Sequence, residues 1–175
     1  MDSGRGVIMI RLRHPLLRTA FLLIATIPIT GCARPFSEEA LVKVNRNVSF
    51  SDLKNDPEKY KGIWFLLAGV IVGSKNTKEG TLIEILQKPM DRDGRPLETD
   101  ATEGRFIVMS DRFLDSAVYH RGRELSVIAE VVGRKELPLD EITYSYPFLA
   151  IKEVYLWDPS SGPFFFFGVD VMHRF

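Results

Sequence analysis

Hydrophobic and polar positions divide the chain into runs of different period. Phe21 to Ile29 is almost continuously apolar and follows a leader carrying Arg5, Arg11, Arg13 and Arg18. Residues 33–48 are polar and aperiodic, with Pro35 and several charges, and read as a tether. Ser49-Phe50-Ser51-Asp52-Leu53 carries the marks of a helix start, with Ser51 or Asp52 as N-cap, and Pro57 keeps any helix there short. The run from Ile63 to Val72 is apolar at nearly every position and rich in β-branched and aromatic residues, which predicts a long strand buried on much of both faces. Gly69 inside it predicts a bulge or sharp bend, the corner of a barrel.

Ser74 to Gly80 reads as a polar hairpin loop and Thr81 to Leu86 as the returning strand. After a long polar loop, 87–103, a third strand is predicted over Gly104–Met109. Asp111 to Tyr119 then predicts a short helix with Asp111 as cap and Phe113, Leu114 and Val118 inward. Glu124–Gly133 makes a fourth strand, with Leu125, Val127, Ala129 and Val131 on one face, and Phe148–Trp157 a fifth. Five strands with a small helix between the third and fourth follow the order of an OB-like antiparallel β-barrel. The predicted fold is therefore all-β with a minor helix, one small barrel over residues 49–158; a small antiparallel sandwich is the alternative.

The chain's only cysteine stands where the apolar leader ends, in Ile29-Thr30-Gly31-Cys32. A basic start, a short apolar run and small residues form a secretory signal, and the run is shorter than the roughly 20 residues a bilayer span needs. Small residues leading straight into cysteine make a bacterial lipobox, in which the thiol is joined to diacylglycerol before cleavage. Residues 1–31 are read as a lipoprotein signal peptide and 32–48 as the lipidated tether, with Met9 as an alternative start. The competing explanations are a free buried cysteine, or an ordinary signal cut near one. Ala33 follows Cys32; aspartate there commonly retains lipoproteins at the inner membrane, so alanine favours transfer outward. The implied partners are outer-membrane lipid, through acylated Cys32, and the lipoprotein processing and sorting machinery.

Charge narrows the ligand class. The chain holds 23 basic and 23 acidic side chains, and the signal takes four arginines and one aspartate, leaving a net charge of −3 with neutral histidines. Nucleic-acid affinity rests on clustered Lys and Arg, so a nucleic-acid partner is excluded. What remains after cleavage suits one domain.

Catalytic chemistry is poorly supplied. His14 lies in the signal, His120 in a loop and His173 near the end of the sequence, with no motif around any of them. Asp91-Arg92-Asp93-Gly94 resembles a calcium loop, but aligning Gly94 with that loop's glycine puts Pro89 at the first ligand position and Asp100 at the last. A plain Asp-Gly turn explains it, and neither metal nor cofactor is expected. Tyr144, Tyr146, Phe148, Tyr155 and Trp157 alternate through the last strand, either as barrel core or as a stacking platform for a glycan. Residues 159–175 form an aromatic tail, where Phe164, Phe165, Phe166 and Phe167 either fold back onto the barrel or touch membrane or a protein.

Several segments in order resemble the Slp family of outer-membrane lipoproteins. They are the lipobox, Asp52-Leu53-Lys54-Asn55-Asp56-Pro57-Glu58-Lys59-Tyr60-Lys61-Gly62, Ala68-Gly69-Val70-Ile71, Glu103-Gly104-Arg105-Phe106, Tyr146-Pro147-Phe148-Leu149 and Leu156-Trp157. The resemblance implies an acylated protein in the inner leaflet of the outer membrane, associated in some members with starvation, without an established molecular activity or catalytic residues. Ala68 stands where a second glycine is expected, and the region after Trp157 is short and phenylalanine-rich. The expected function is that of a periplasm-facing envelope component acting by binding or structure, with an envelope protein or a glycan as partner. The rival is an enzyme acting on envelope glycans or lipids, which requires carboxylates clustered in one cleft.

Overall fold

The computed structural model describes residues 34–158. Two short helices, α1 (Glu38–Lys43) and α2 (Phe50–Asn55), and a 3₁₀ turn (Pro57–Tyr60) precede five strands: β1 (Trp64–Thr77), β2 (Gly80–Lys88), β3 (Arg105–Ser110), β4 (Glu124–Leu139) and β5 (Ile142–Leu156). The strands close into a barrel in the order β1-β2-β3-β5-β4, with all pairings antiparallel except the short β3–β5 contact. That order is the OB arrangement expected from the strand pattern.

Alternation fills the interior. Leu67, Ile71, Ile83, Ile85, Phe106, Val108, Leu125, Val127 and Leu149 meet inside the barrel, and Phe50 and Leu53 of α2 join them. Ser49 starts α2 with a capping box: its hydroxyl accepts from the Asp52 N–H at 3.1 Å, and the Asp52 carboxylate accepts from the Ser49 N–H at 3.3 Å. The cap therefore falls two or three residues before the predicted Ser51 or Asp52, and Phe50 gains an inward position. Gly69 pairs with both Gln87 and Leu125, and a side chain there would strike the Leu86 carbonyl and come within 2.7 Å of Ile85 Cγ2. Close approach of β2 requires glycine at this point; the register shift itself lies later, between Ile71 and Gly73.

The reading of residues 32–48 as a tether is corrected over its described part. Residues 34–48 contain α1 and bury Phe36 and Ala40 against the barrel. Phe36, Ala40, Leu41 and Val44 have the spacing of one helix face, and they meet a strand face that needs cover. The predicted helix over 111–119 is also absent. Ser110 Oγ, Thr81 Oγ1 and Asp115 Oδ1 accept from the N–H groups of Arg112, Leu114 and Ala117, and such side-chain bonds compete with helix. Leu114 packs against the core as expected, whereas Phe113 (74% exposed) and Val118 stand out in solvent.

The last two strands run further than predicted. Arg134–Leu139 pairs with Ile142–Pro147 as a two-stranded hairpin around an Asp140-Glu141 turn, with Asp140 at φ 53°. Pro138 and Pro147 lie within these strands, where a two-stranded ribbon leaves one edge of each strand unpaired and a missing N–H costs little. The signal segment and the aromatic tail lie outside the described residues.

Candidate functional site

Because the interior is packed with apolar side chains, any chemistry must come from the outside of the barrel. Its walls are covered in two ways.

The first wall is the outward side of β1, β4 and the end of β5. Residues 34–48 lie over it, with Phe36 and Ala40 against buried Ile128 and with Leu41, Val44, Trp64 and Leu66 around them. Ser37 caps α1 by accepting from the Ala40 N–H at 3.2 Å, while its own N–H and hydroxyl donate to Glu153 of β5. The loop after β2 closes the remainder. Buried Ser126 donates its hydroxyl to the Gly94 carbonyl and accepts from Trp157 Nε1 at 2.9 Å. Arg95 pairs with Glu124 at 3.1 Å and lies 5.6 Å from the Trp157 ring centre.

The second wall is the outward side of β2, β3 and the start of β5. Tyr144, Tyr146 and Phe148 alternate along β5 and so project to one side. The Tyr146 hydroxyl donates to Glu84 of β2 at 3.1 Å, and the same carboxylate accepts from Arg105 of β3 at 2.8 Å, tying three strands together. The rings of Tyr144 and Tyr146 meet at a tilt of 59° with centres 4.6 Å apart. Lys54 Nζ sits 5.7 Å over Tyr144 and Lys135 Nζ 4.9 Å over Phe148. Beside Phe148 a hollow of about 360 Å³ opens between the β1–β2 turn, Leu82, Met109 and Lys135.

Burial, and then the neighbouring Glu84 carboxylate, push the Tyr146 phenol above its ordinary pKa, and the hydrogen bond to Glu84 raises that of Arg105. Both groups stay protonated near neutrality, so the cluster is a static hydrogen-bonded tie without a free base. Such a wall can offer ring faces, ammonium groups and a shallow hollow to a ligand; it has no nucleophile paired with a base.

The other sequence candidates are distributed as follows. The aromatics of β5 are split, with Tyr144, Tyr146 and Phe148 on the second wall and Tyr155 and Trp157 at the other end, packed ring to ring at 4.8 Å. Tyr146 is buried, at 2% exposure, on the outward side of the strand, and none of the five joins the apolar cluster inside the barrel. Asp91 Oδ1 accepts from the N–H groups of Asp93 and Arg95, both at 2.9 Å, and Gly94 adopts φ +88°, which is the expected turn. His120 is exposed in a loop with Nδ1 2.8 Å from the Arg121 carbonyl. Cys32, Ala33, Phe164, Phe165, Phe166 and Phe167 lie outside the described residues, as do His14 and His173. The sequence reading missed Lys54, Glu84 and Arg105. Glu84 was the findable one, a charge within the apolar run Thr81–Leu86 at an outward position.

The chain is similar in structure to a small single-stranded DNA-binding protein from Streptomyces coelicolor, with a TM-score of 0.35 and 12% identity over 58% of this chain and 98% of the other. It is similar also to the mitochondrial single-stranded DNA-binding protein Rim1 of S. cerevisiae, with a TM-score of 0.29 and 16% identity over 53% and 92%. No curated protein matches the sequence. The profile of the outer membrane lipoprotein Slp family matches residues 29–163, a span that takes in Cys32, the whole described barrel and the first tail residues, and stops just before Phe164. With most of the chain inside that match, the protein belongs to the outer membrane lipoprotein Slp family.

Proposed function

We propose that the protein is anchored by lipid on Cys32 to the periplasmic face of the outer membrane, and that its barrel acts there as a binding or structural module. The observation that carries this is the family match, whose span begins before Thr30-Gly31-Cys32 and so includes the acylation site with the domain it would anchor. Thioether-linked diacylglycerol and an amide-linked acyl chain together supply the multiple chains that stable attachment requires. Ala33 directs the product outward. Cys32→Ser tests the anchor: incorporation of labelled fatty acid should vanish and the product stay uncleaved or soluble, and unchanged labelling would refute it. Ala33→Asp tests the address, with a shift to inner-membrane fractions expected.

Binding fits the second wall better than catalysis does. On that wall Glu84 is taken up by Arg105 and Tyr146. Ring faces flanked by lysines suit a glycan, which stacks on aromatics and hydrogen-bonds through its hydroxyls. Titrating envelope glycan fragments into the protein should shift the NMR signals of Tyr144, Phe148 and Lys135 first; shifts confined to the other wall would refute the assignment. Phe164 to Phe167 fall beyond the family span, and we propose that they pack on the barrel. Serine at all four positions should then lower thermal stability; unchanged stability with lost vesicle association would make the tail a contact surface instead.

A further inference from the structure

We infer that the first wall, the one covered by residues 34–48, is the face that the barrel lays against phospholipid headgroups. The inference rests on the reading of Cys32 as the acylated residue and adds an orientation that this reading does not contain.

Chain length is the first argument. Phe36 is buried against the barrel only four residues after Cys32, and four extended residues reach about 14 Å at most. An anchored Cys32 therefore keeps this wall beside the lipid, with no long spacer to let another wall turn toward it.

The second argument is the chemistry of the wall. A hollow of about 660 Å³ lies between the start of the domain and the turn at 91–94, with Phe36, Leu41 and Leu66 in its lining and Arg34, Arg46 and Arg92 beside them. Arg34 pairs with Glu38 at 2.8 Å, and Lys43 pairs with Glu39 at 2.9 Å, so α1 neutralises its own carboxylates. Arg46 and Arg92 form no ion pair with any of the described residues. Asp91 and Asp93 share the hollow and carry the opposing charge, Asp91 with one carboxylate oxygen held by the N–H groups of its turn, so it is the unpaired donor forks of Arg46 and Arg92, rather than a net positive charge, that the hollow offers to a ligand. A guanidinium presents a planar fork of donors that matches two phosphate oxygens. Val42 supplies the third argument. It is 85% exposed on α1, beside Lys43, where a water-facing helix gains nothing from valine but a headgroup boundary would cover it.

The test uses the mature acylated protein in vesicles of phosphatidylethanolamine and phosphatidylglycerol. Acylation occupies Cys32, so Val42→Cys or Lys78→Cys introduces the only free thiol for a fluorophore. A headgroup-borne quencher should quench the label at position 42 several-fold more strongly than at position 78, on the β1–β2 turn. Equal quenching, or stronger quenching at 78, would overturn the orientation. In the same vesicles, Arg46→Glu with Arg92→Glu should reduce quenching at 42 several-fold while the protein remains membrane-bound; no reduction counts against the arginines. Fatty-acid labelling of each sample reports on the anchor separately. Should acylation itself fail, the mature Cys32→Ser chain is sedimented with the same vesicles. Salt-sensitive binding that falls several-fold on the double charge reversal upholds the wall, and binding indifferent to the reversal refutes it.

Discussion

The two walls of this barrel solve the same problem in opposite ways. On the first, β1 and β4 present Leu66, Trp64 and Ile128 outward, and apolar side chains there need cover from elsewhere in the chain; residues 34–48 and the turn at 91–96 provide it. On the second, Tyr144, Tyr146, Glu84 and Arg105 cover the strands with their own length and bond to each other. The first wall depends on hydrophobic burial across long sequence separations, whereas the second depends on hydrogen bonds within the sheet. Burial of a large side chain contributes more than a single net hydrogen bond, so the two walls should respond very differently to mutation.

The largest expected effect strikes both walls at once. Gly69 sits in β1 of the first wall where that strand pairs with β2 of the second, and Gly69→Val would drive its side chain into the Leu86 carbonyl. A loss of about 4 kcal/mol, or failure to fold, is expected through strain and overpacking. A melting temperature equal to that of the parent would show that β2 can move away.

Phe36→Ala separates the walls. It removes the main cover of Ile128 and should cost about 3 kcal/mol by chemical denaturation, the range of buried phenylalanine truncations. A change below about 1 kcal/mol, small beside such truncations, would mean that residues 34–48 rest on the barrel without supporting it. The matching change on the second wall, Tyr146→Phe, keeps the ring and deletes only the hydroxyl that donates to Glu84. About 1 kcal/mol is expected. If it costs as much as Phe36→Ala, the distinction between burial and hydrogen bonding collapses.

The smallest effect concerns α2, which closes the interior beneath both walls. The Ser49 hydroxyl and N–H hold the Asp52 carboxyl below its ordinary pKa. A carboxylate favoured in the folded state contributes stability that is fully present above its unfolded pKa of about 4 and is lost as pH falls through the lower folded value. Stability should therefore decline below pH of about 4, and Ser49→Ala should make that part of the decline shallower, besides costing about 1 kcal/mol at neutral pH. Identical acid dependence in the two proteins would remove the capping box as its source.

Much of this molecule was readable from local pattern. The five strands, the short helix at Phe50–Asn55 and the Asp-Gly turn follow from residue periodicity and backbone freedom, which act over a few residues, whereas glycine at 69 is required by the close approach of β2 and not by the bend expected there. Tertiary structure alone decided the rest. Residues 34–48 carry only a short apolar stripe, and the surface it covers is a strand face distant in sequence. The hairpin at 134–147 tolerates two prolines because each of its strands has only one neighbour there. The aromatics of β5 were divided between two walls by the change of register between Ile128 and Ala129 and by the pairing of β3 with the middle of the strand. Alternation tells which side of a strand a residue takes, but what lies on that side is set by chain segments far away, and a local pattern carries no record of them.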